Sequence, residues 1–320
     1  MNIESIISGV KNIAISGHVR PDGDCVGSCL GLYNYLTIYY PDKEVTVYLE
    51  EIPAKFGFLK GANHIKNKMD IRMEEVEQFD VYFALDCGSS DRLGYACKAY
   101  ENAKVKCVID HHISNKSIGE NFYVVPTASS TSELVYNLIP SERLTKEIAE
   151  CLYLGIAHDT GVFQYSNVAP STMRAAADML ELGVLGSKIV EDTFFEKTYA
   201  QNKVLGKAFF ESELLLDGRC VFFALTLEQM QELGITTKDL DGIVSQMRNT
   251  QGVDIAVFMY ELSESEYKIS LRTNDKIDAS IIATTFQGGG HKKAAGFTLS
   301  GSQEELLSIL LQEIKKQISL

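Results

Sequence analysis

The stretch Lys104-Val105-Lys106-Cys107-Val108-Ile109-Asp110-His111-His112 is a short apolar, β-branched run that breaks off in one carboxylate and two imidazoles. A run of this length and type reads as a buried strand, so its polar tail lies where the strand leaves the core. The arrangement recurs three times. Lys11 to Ser16 leads into Gly17-His18-Val19-Arg20-Pro21-Asp22-Gly23-Asp24, Asp80 to Leu85 into Asp86-Cys87-Gly88, and the helical run Thr145 to Ala157 into His158-Asp159-Thr160-Gly161.

Between these runs lie another strand-like segment, Glu44 to Leu49, and further helical patterns over Asp24 to Leu36, Ser130 to Ile139 and Ser171 to Leu182. Ser130 followed by Glu133 resembles a capping box and marks a helix start. Strands alternating with helices predict an α/β domain, a parallel sheet with helices on both faces, over residues 1–185. Ligands of such sheets bind beyond the carboxyl ends of the strands, which is where the polar clusters fall. Residues 186–206 read as a helical linker. Residues 207–320 read as a smaller α+β domain, with strands at Val221 to Leu225, Asp254 to Tyr260 and Tyr267 to Arg272. Its helices are expected at Leu227 to Leu233, Leu240 to Met247 and Gln303 to Ile318.

The chain has 320 residues, enough for two domains with a core each. Its formal net charge of −13 argues against gripping long nucleic acid by neutralising phosphates, so any nucleic-acid substrate is expected to be short. Seven cysteines without CxxC pairs fit free thiols in a reducing compartment. No signal peptide or run of about 18 apolar residues stands out, so a cytoplasmic protein with no membrane partner is expected.

The polar clusters have the chemistry of a two-metal site. Five of the six histidines, His18, His111, His112, His158 and His291, fall in marked motifs. Proline and glycine in Pro21-Asp22-Gly23-Asp24 let one loop aim two carboxylates in different directions. His18, Asp22 and Asp24 lie on this loop, which can thus feed two metals; Asp86 could bridge both ions, and His111 and Asp159 would complete the second ion's shell. Such ion pairs sit about 3.5–4 Å apart and clamp the oxygens of a phosphoryl displacement. His158 reads as a support for the metal ligands or as structural, and Cys25 and Cys29 as packing residues.

A second specific element is Gln287-Gly288-Gly289-Gly290-His291-Lys292-Lys293-Ala294-Ala295-Gly296. Three glycines free the backbone N–H groups to face an anion, and a helix starting near His291 would add its positive end. Arg272, closing a strand, is placed to take phosphate bidentately. These residues predict an anion grip.

Together the motifs resemble the DHH phosphoesterase superfamily. The carriers are Gly17-His18 through Asp24-Cys25-Val26-Gly27-Ser28, Asp86, Asp110-His111-His112 and Asp159-Thr160-Gly161. Ser270-Leu271-Arg272 and Gly288 through Gly296 look like its DHH-associated C-terminal domain. The resemblance implies two manganese ions, with magnesium as a possible substitute, held by His18, Asp22, Asp24, Asp86, His111 and Asp159. It implies that Asp110 orients His111, that His112 faces the scissile phosphate, and that Arg272, Gly288, Gly289, Gly290 and His291 hold the far end of the substrate. Gln287 stands where the family usually has a further glycine.

The closest branch is that of nanoRNases and pAp phosphatases. It implies hydrolysis of short oligoribonucleotides to 5′-mononucleotides and of 3′-phosphoadenosine 5′-phosphate (pAp) to AMP and phosphate, in a cleft between the domains of a possible homodimer. Two rivals stand beside it: a phosphodiesterase for cyclic di-AMP or linear pApA, and a nucleotide-binding regulator without catalysis. The intact ligand set argues against the regulator, and the lack of a basic strand-guiding module against a processive exonuclease.

Overall fold

The computed structural model describes residues 1–68, 78–113, 115 and 120–318. It divides into two compact units, Met1–Glu196 and Lys197–Leu320.

In the first unit the strands β1 (Asn12–Ser16), β2 (Glu44–Tyr48), β3 (Ile65–Lys66), β4 (Val81–Leu85), β5 (Val105–Asp110) and β6 (Asn121–Val124) form one sheet in the order β3-β2-β1-β4-β5-β6. Every neighbouring pair is parallel. The chain builds outward from β1 to β3, then returns to β4 on the other side of β1. That reversal is a topological switch point, and the crevice beyond the ends of β1 and β4 is the place such a sheet offers a ligand. β4 is buried at every residue: Val81, Phe83 and Leu85 pack on one face, Tyr82 and Ala84 on the other. An unbroken apolar strand of this kind is what a sheet covered on both sides requires. Sequence periodicity misses β3, which has two residues, and the edge strand β6, where one neighbour relaxes the demand for apolar side chains.

The thicker helical layer contains α1 (Gly23–Tyr39), α2 (Thr131–Leu138), α3 (Lys146–Asp159) and α4 (Pro170–Glu181). Helix α1 is buried almost all round, between the sheet and α3. The α1–α3 approach is close enough to need glycine. A Cβ on Gly27 would fall 2.4 Å from the Cys151 carbonyl oxygen, and one on Gly155 would fall 1.9 Å from Ser132 Oγ and 2.8 Å from Asp24 Oδ1. This contact brings the first turn of α1, with Asp24, against the last turn of α3, with Asp159.

The second unit is a mixed sheet of β7 (Glu213–Leu215), β8 (Cys220–Leu225), β9 (Ile255–Ser263), β10 (Glu266–Thr273), β11 (Gly289–His291) and β12 (Ala294–Ser300), in the order β11-β12-β10-β9-β8-β7. Only β8 and β9 run parallel. Helices Ala279–Thr285 and Gln303–Gln317 cover one face. Helices Tyr199–Glu211, Leu227–Leu233 and Ile243–Arg248 cover the other face at β8 and β9. The helix expected from His291 does not form. Lys292 and Lys293 instead turn a β11–β12 hairpin, because pairing of Ala294 to Ser300 with β10 overrides the helix preference of the Lys-Lys-Ala-Ala run.

Gly155→Ala should therefore cost about 1–3 kcal/mol through overpacking, whereas Gly206→Ala, on a helix where nothing lies within 4 Å, should gain about 0.5–1 kcal/mol. Denaturant unfolding of both variants checks the pair. Equal effects would show that the α1–α3 contact is not tight.

Candidate metal centre

Each acidic side chain is aimed by the local structure of its own element. Asp22 caps α1: its Oδ1 accepts from the N–H groups of Asp24 and Cys25, each at 3.1 Å, which leaves Oδ2 turned towards His18 Nε2 at 3.6 Å. Asp24 is buried, and the N-terminus of α2 fixes both its oxygens: Oδ2 accepts from Thr131 N–H at 2.7 Å and Oδ1 from Ser132 N–H at 2.8 Å. Asp86 follows β4 with φ +53, a left-handed conformation that costs a non-glycine residue energy and is found most often at functional sites. Asp159 is the last residue of α3. The His18 loop is tied down by Val19 N–H donating to the Arg92 carbonyl at 2.8 Å and Arg20 N–H donating to Glu50 at 2.7 Å.

The ligand atoms fall into two groups that share Asp86. Its Oδ2 lies 3.4 Å from His18 Nε2, while its Oδ1 lies 3.7 Å from His111 Nε2. His111 Nε2 is also 3.5 Å from Asp159 Oδ2 and 4.0 Å from Asp24 Oδ2. These separations are too long for hydrogen bonds of about 2.7–3.2 Å. They suit ligands around a common ion, since two atoms each about 2.1 Å from it stand roughly 3.0 Å apart at 90° and up to about 4.2 Å apart at wider angles.

Electrostatics agrees that the donor set fits divalent cations. Burial first, and then the charges of Asp86 and Asp159, push the Asp24 carboxyl well above its usual range. Burial likewise raises Asp159 to about 6. Burial opposes a charged His18 ring, but the carboxylates of Asp22 and Asp86 facing it outweigh burial and push the ring up to about 12. Carboxylates crowded like this ionise together only beside positive charge.

In the second unit Arg272 lies on the outward-facing row of β10, with His291 and the glycines on the neighbouring hairpin. Two of the three glycines have packing reasons. A Cβ on Gly288 would strike Phe297 at 2.4 Å, and one on Gly290, at φ +146, would strike the Ala294 carbonyl at 2.4 Å. A Cβ on Gly289, which pairs with Gly296 in the hairpin, would meet nothing within 4 Å, so packing does not require glycine there. Gln287 sits at φ +58, keeping the left-handed turn that a glycine would take more easily.

A family model described as the DHH family, N-terminal domain, matches residues 12–156, and one described as the DHHA1 domain matches residues 220–319. The chain belongs to the DHH family. It is similar to a bifunctional oligoribonuclease and PAP phosphatase NrnA of Thermus thermophilus, 28% identical over 99% of this chain and 94% of that protein. A protein of the same name from Bacillus subtilis is 25% identical, with 92% and 91% of the two chains covered. Among solved structures, an exopolyphosphatase-related protein from Bacteroides fragilis superposes with a TM-score of 0.92 at 27% identity, over 98% of this chain and 94% of that one. The chain is thus a DHH-family phosphoesterase, a hydrolase with acidic and histidine clusters able to hold metal. No helix among the described residues is long and apolar enough to cross a membrane.

Within the DHH triplet one expected contact is different. The Asp110 side chain does not hold the His111 ring: its Oδ1 lies 2.7 Å from His112 Nδ1, while His111 Nδ1 faces the Ala128 carbonyl at 3.4 Å. Backbone hydrogen bonds set this arrangement. Asp110 Oδ1 also accepts the N–H groups of His111 and His112, and this tight turn swings the second imidazole, not the first, over the carboxylate. Asn115 completes the grip by donating to Asp110 Oδ2 at 2.6 Å. Burial would raise Asp110, but His112 and Asn115 hold it below the usual range. The hydrogen bond to Asp110 in turn raises His112.

Sequence reasoning missed Thr131 and Ser132, whose N–H groups hold Asp24; Thr131 also donates its hydroxyl to Asp86 Oδ1 at 3.1 Å. The Ser129-Ser130-Thr131-Ser132 run was the available signal. The capping box there is half formed: Glu133 N–H donates to Ser130 Oγ, but the Glu133 carboxylate accepts from Ser129 and Thr172. His158 sits edge-on to Phe56 and Phe194 with Nε2 2.9 Å from Thr193 Oγ1, and burial lowers it to about 4. It is a neutral packing residue. Cys25, its thiol raised first by burial, packs against Gly17.

Asp110→Asn should leave bound metal and folding unchanged but lower kcat about 100-fold or more, because it reverses the hydrogen-bond partner of His112. Metal content and steady-state kinetics on one preparation test this. Lost metal would mean that Asp110 supports His111 after all.

Proposed function

We propose that the chain is a manganese-dependent phosphoesterase that hydrolyses short oligoribonucleotides to 5′-mononucleotides and pAp to AMP and phosphate. The observation that carries this reading is Asp86, whose two oxygens face two different histidine–carboxylate sets. His18, Asp22 and Asp86 would hold one ion, and Asp24, His111, Asp159 and Asp86 the other. Bound there, the ions would supply Lewis acidity and lower the pKa of water. Imidazole among the donors favours manganese over magnesium, which prefers an all-oxygen shell. The names of the relatives support the substrate class.

The protein's own groups have distinct tasks on this reading. Asp24 and Asp86, fixed by α2, hold position without rearranging. His112 donates its Nδ1–H to the Asp110 carboxylate, which favours the imidazolium; in that form Nε2 also bears a proton, and this proton meets charge developing on a phosphate or its leaving oxygen. Arg272, His291 and the glycines Gly288, Gly289 and Gly290 hold a phosphate of the substrate in the second unit.

Chelation should abolish activity, and manganese should restore it better than magnesium. Asp86→Asn should stay folded by circular dichroism and lose nearly all turnover; substantial residual activity would overturn the shared-carboxylate site. Arg272→Ala should chiefly raise KM while His112→Ala lowers kcat. A panel of pAp, di- to pentanucleotides, pApA and cyclic di-AMP, read by product identity, separates the substrate readings. Faster hydrolysis of the cyclic dinucleotide than of linear strands would favour the cyclic di-AMP phosphodiesterase.

A further inference from the structure

Strand β10 buries Tyr267, Ile269, Leu271 and Thr273, so Glu266, Lys268, Ser270 and Arg272 share its outward face. β12 sets Ala294, Gly296, Thr298 and Ser300 directly opposite these four. β11 adds His291 beside Ala294 and Gly289 beside Gly296. The face therefore changes character row by row. It begins with the imidazole and guanidinium of His291 and Arg272, crosses a row with no side chain larger than serine, reaches Lys268 and Thr298, and ends at Glu266 and Ser300.

A groove of about 680 Å³ runs along the Lys268 and Glu266 end of this face, starting beyond Arg272 and His291. It opens at Gly288 and Gly296, beside the glycine turn, and passes Lys268 and Thr298 on the way to Glu266, with Gln287 at its side. Lys268 is half-buried, and no carboxylate pairs with it among the described residues. Arg272 lies four strand steps from Lys268, about 13 Å, a span of two internucleotide steps of an extended strand. Glu266 lies about 7 Å further on.

We propose that this groove is a length gauge for oligonucleotides: Lys268 takes a second phosphate beyond the one at Arg272 and His291, and Glu266 repels the phosphate after that. The choice of ligand rests on the phosphoesterase reading above. The physics is general. A cation without a partner in a polar groove gains a charge-assisted contact from a phosphate, while a carboxylate facing the same groove penalises any anion that reaches it. The row between Arg272 and Lys268 has no bulk to obstruct a sugar-phosphate backbone.

The test is equilibrium binding of 5′-phosphorylated strands of two to six nucleotides to the full-length protein with metal chelated, together with hydrolysis of the same series with manganese. Wild-type affinity should rise with length to a maximum and then fall. Lys268→Ala should weaken the best strand about tenfold, move the maximum to a shorter strand and lower the salt slope for the best strand by about 0.7, while pAp hydrolysis is unchanged. Glu266→Gln should move the maximum to a longer strand. Opposite shifts from two substitutions that each remove one charge are not expected from a general loss of stability. The gauge is overturned if the wild type does not bind these strands, if Lys268→Ala weakens every length and pAp alike, or if Glu266→Gln leaves the maximum in place. Binding with the expected shifts but no hydrolysis of any strand would sink the proposed function and leave the gauge standing.

Discussion

Asp24 begins one helix, accepts from the first N–H groups of a second, and lies beside the glycine that lets a third approach. Burying a carboxylate this completely is unfavourable unless its lone pairs are met. Here α2 meets two of them with Thr131 and Ser132 N–H groups at the positive end of its dipole. The remaining lone pairs face His111 and the other acids. The helical layer is thus arranged around one charge: Gly27 and Gly155 allow α1 and α3 to touch, that contact sets Asp24 beside Asp159, and α2 locks the result. The sheet supplies the rest, since parallel strands end together and deliver His18, Asp86 and the DHH triplet to one crevice.

The same economy of position explains the strained residues. Asp86 adopts a left-handed conformation immediately after β4, while its N–H still donates to the Ile109 carbonyl of the adjacent strand at 3.0 Å. The ladder holds the backbone while the twist turns the side chain out of the sheet, so that its two oxygens point to different histidines. An extended Asp86 would send that carboxylate to one face and leave the groups unconnected. Gln287 shows the opposite case. The left-handed turn is kept although the glycine is not, because the hairpin that follows fixes the path of the chain.

The parallel sheet and most of its helices were legible in the sequence because buried strands and amphipathic helices leave strong periodic signals, and the acids and histidines stood at the ends of those signals. Less legible was anything decided by contacts between distant segments. Nothing in the triplet itself says that Asp110 serves His112 and not His111; the tight turn and Asn115 decide it. Thr131 and Ser132 act through backbone N–H groups, which any residue possesses, so their identity carries little trace of the role. The hairpin at Gly289 to Ser300 was hidden for a related reason: Lys-Lys-Ala-Ala favours a helix locally, and only the pairing of β12 with β10 overrules it. Residues 186–206 hold both the π-type turn at Glu191–Phe195 and the boundary between the compact units, and a mixed composition could not separate the two.

On the proposed reading, the contrast between global and local charge selects substrate length without a steric wall. The chain carries −13 overall, so a polyanion is repelled except where cations are concentrated, as on the Arg272 and Lys268 face. A short strand has about as many phosphates as these positions can neutralise. Each further nucleotide adds a charge that finds Glu266 or the acidic surface, and salt would screen that repulsion at the same time as it weakens the grip. Selectivity for short strands should then weaken as ionic strength rises, which selection by a steric wall would not do.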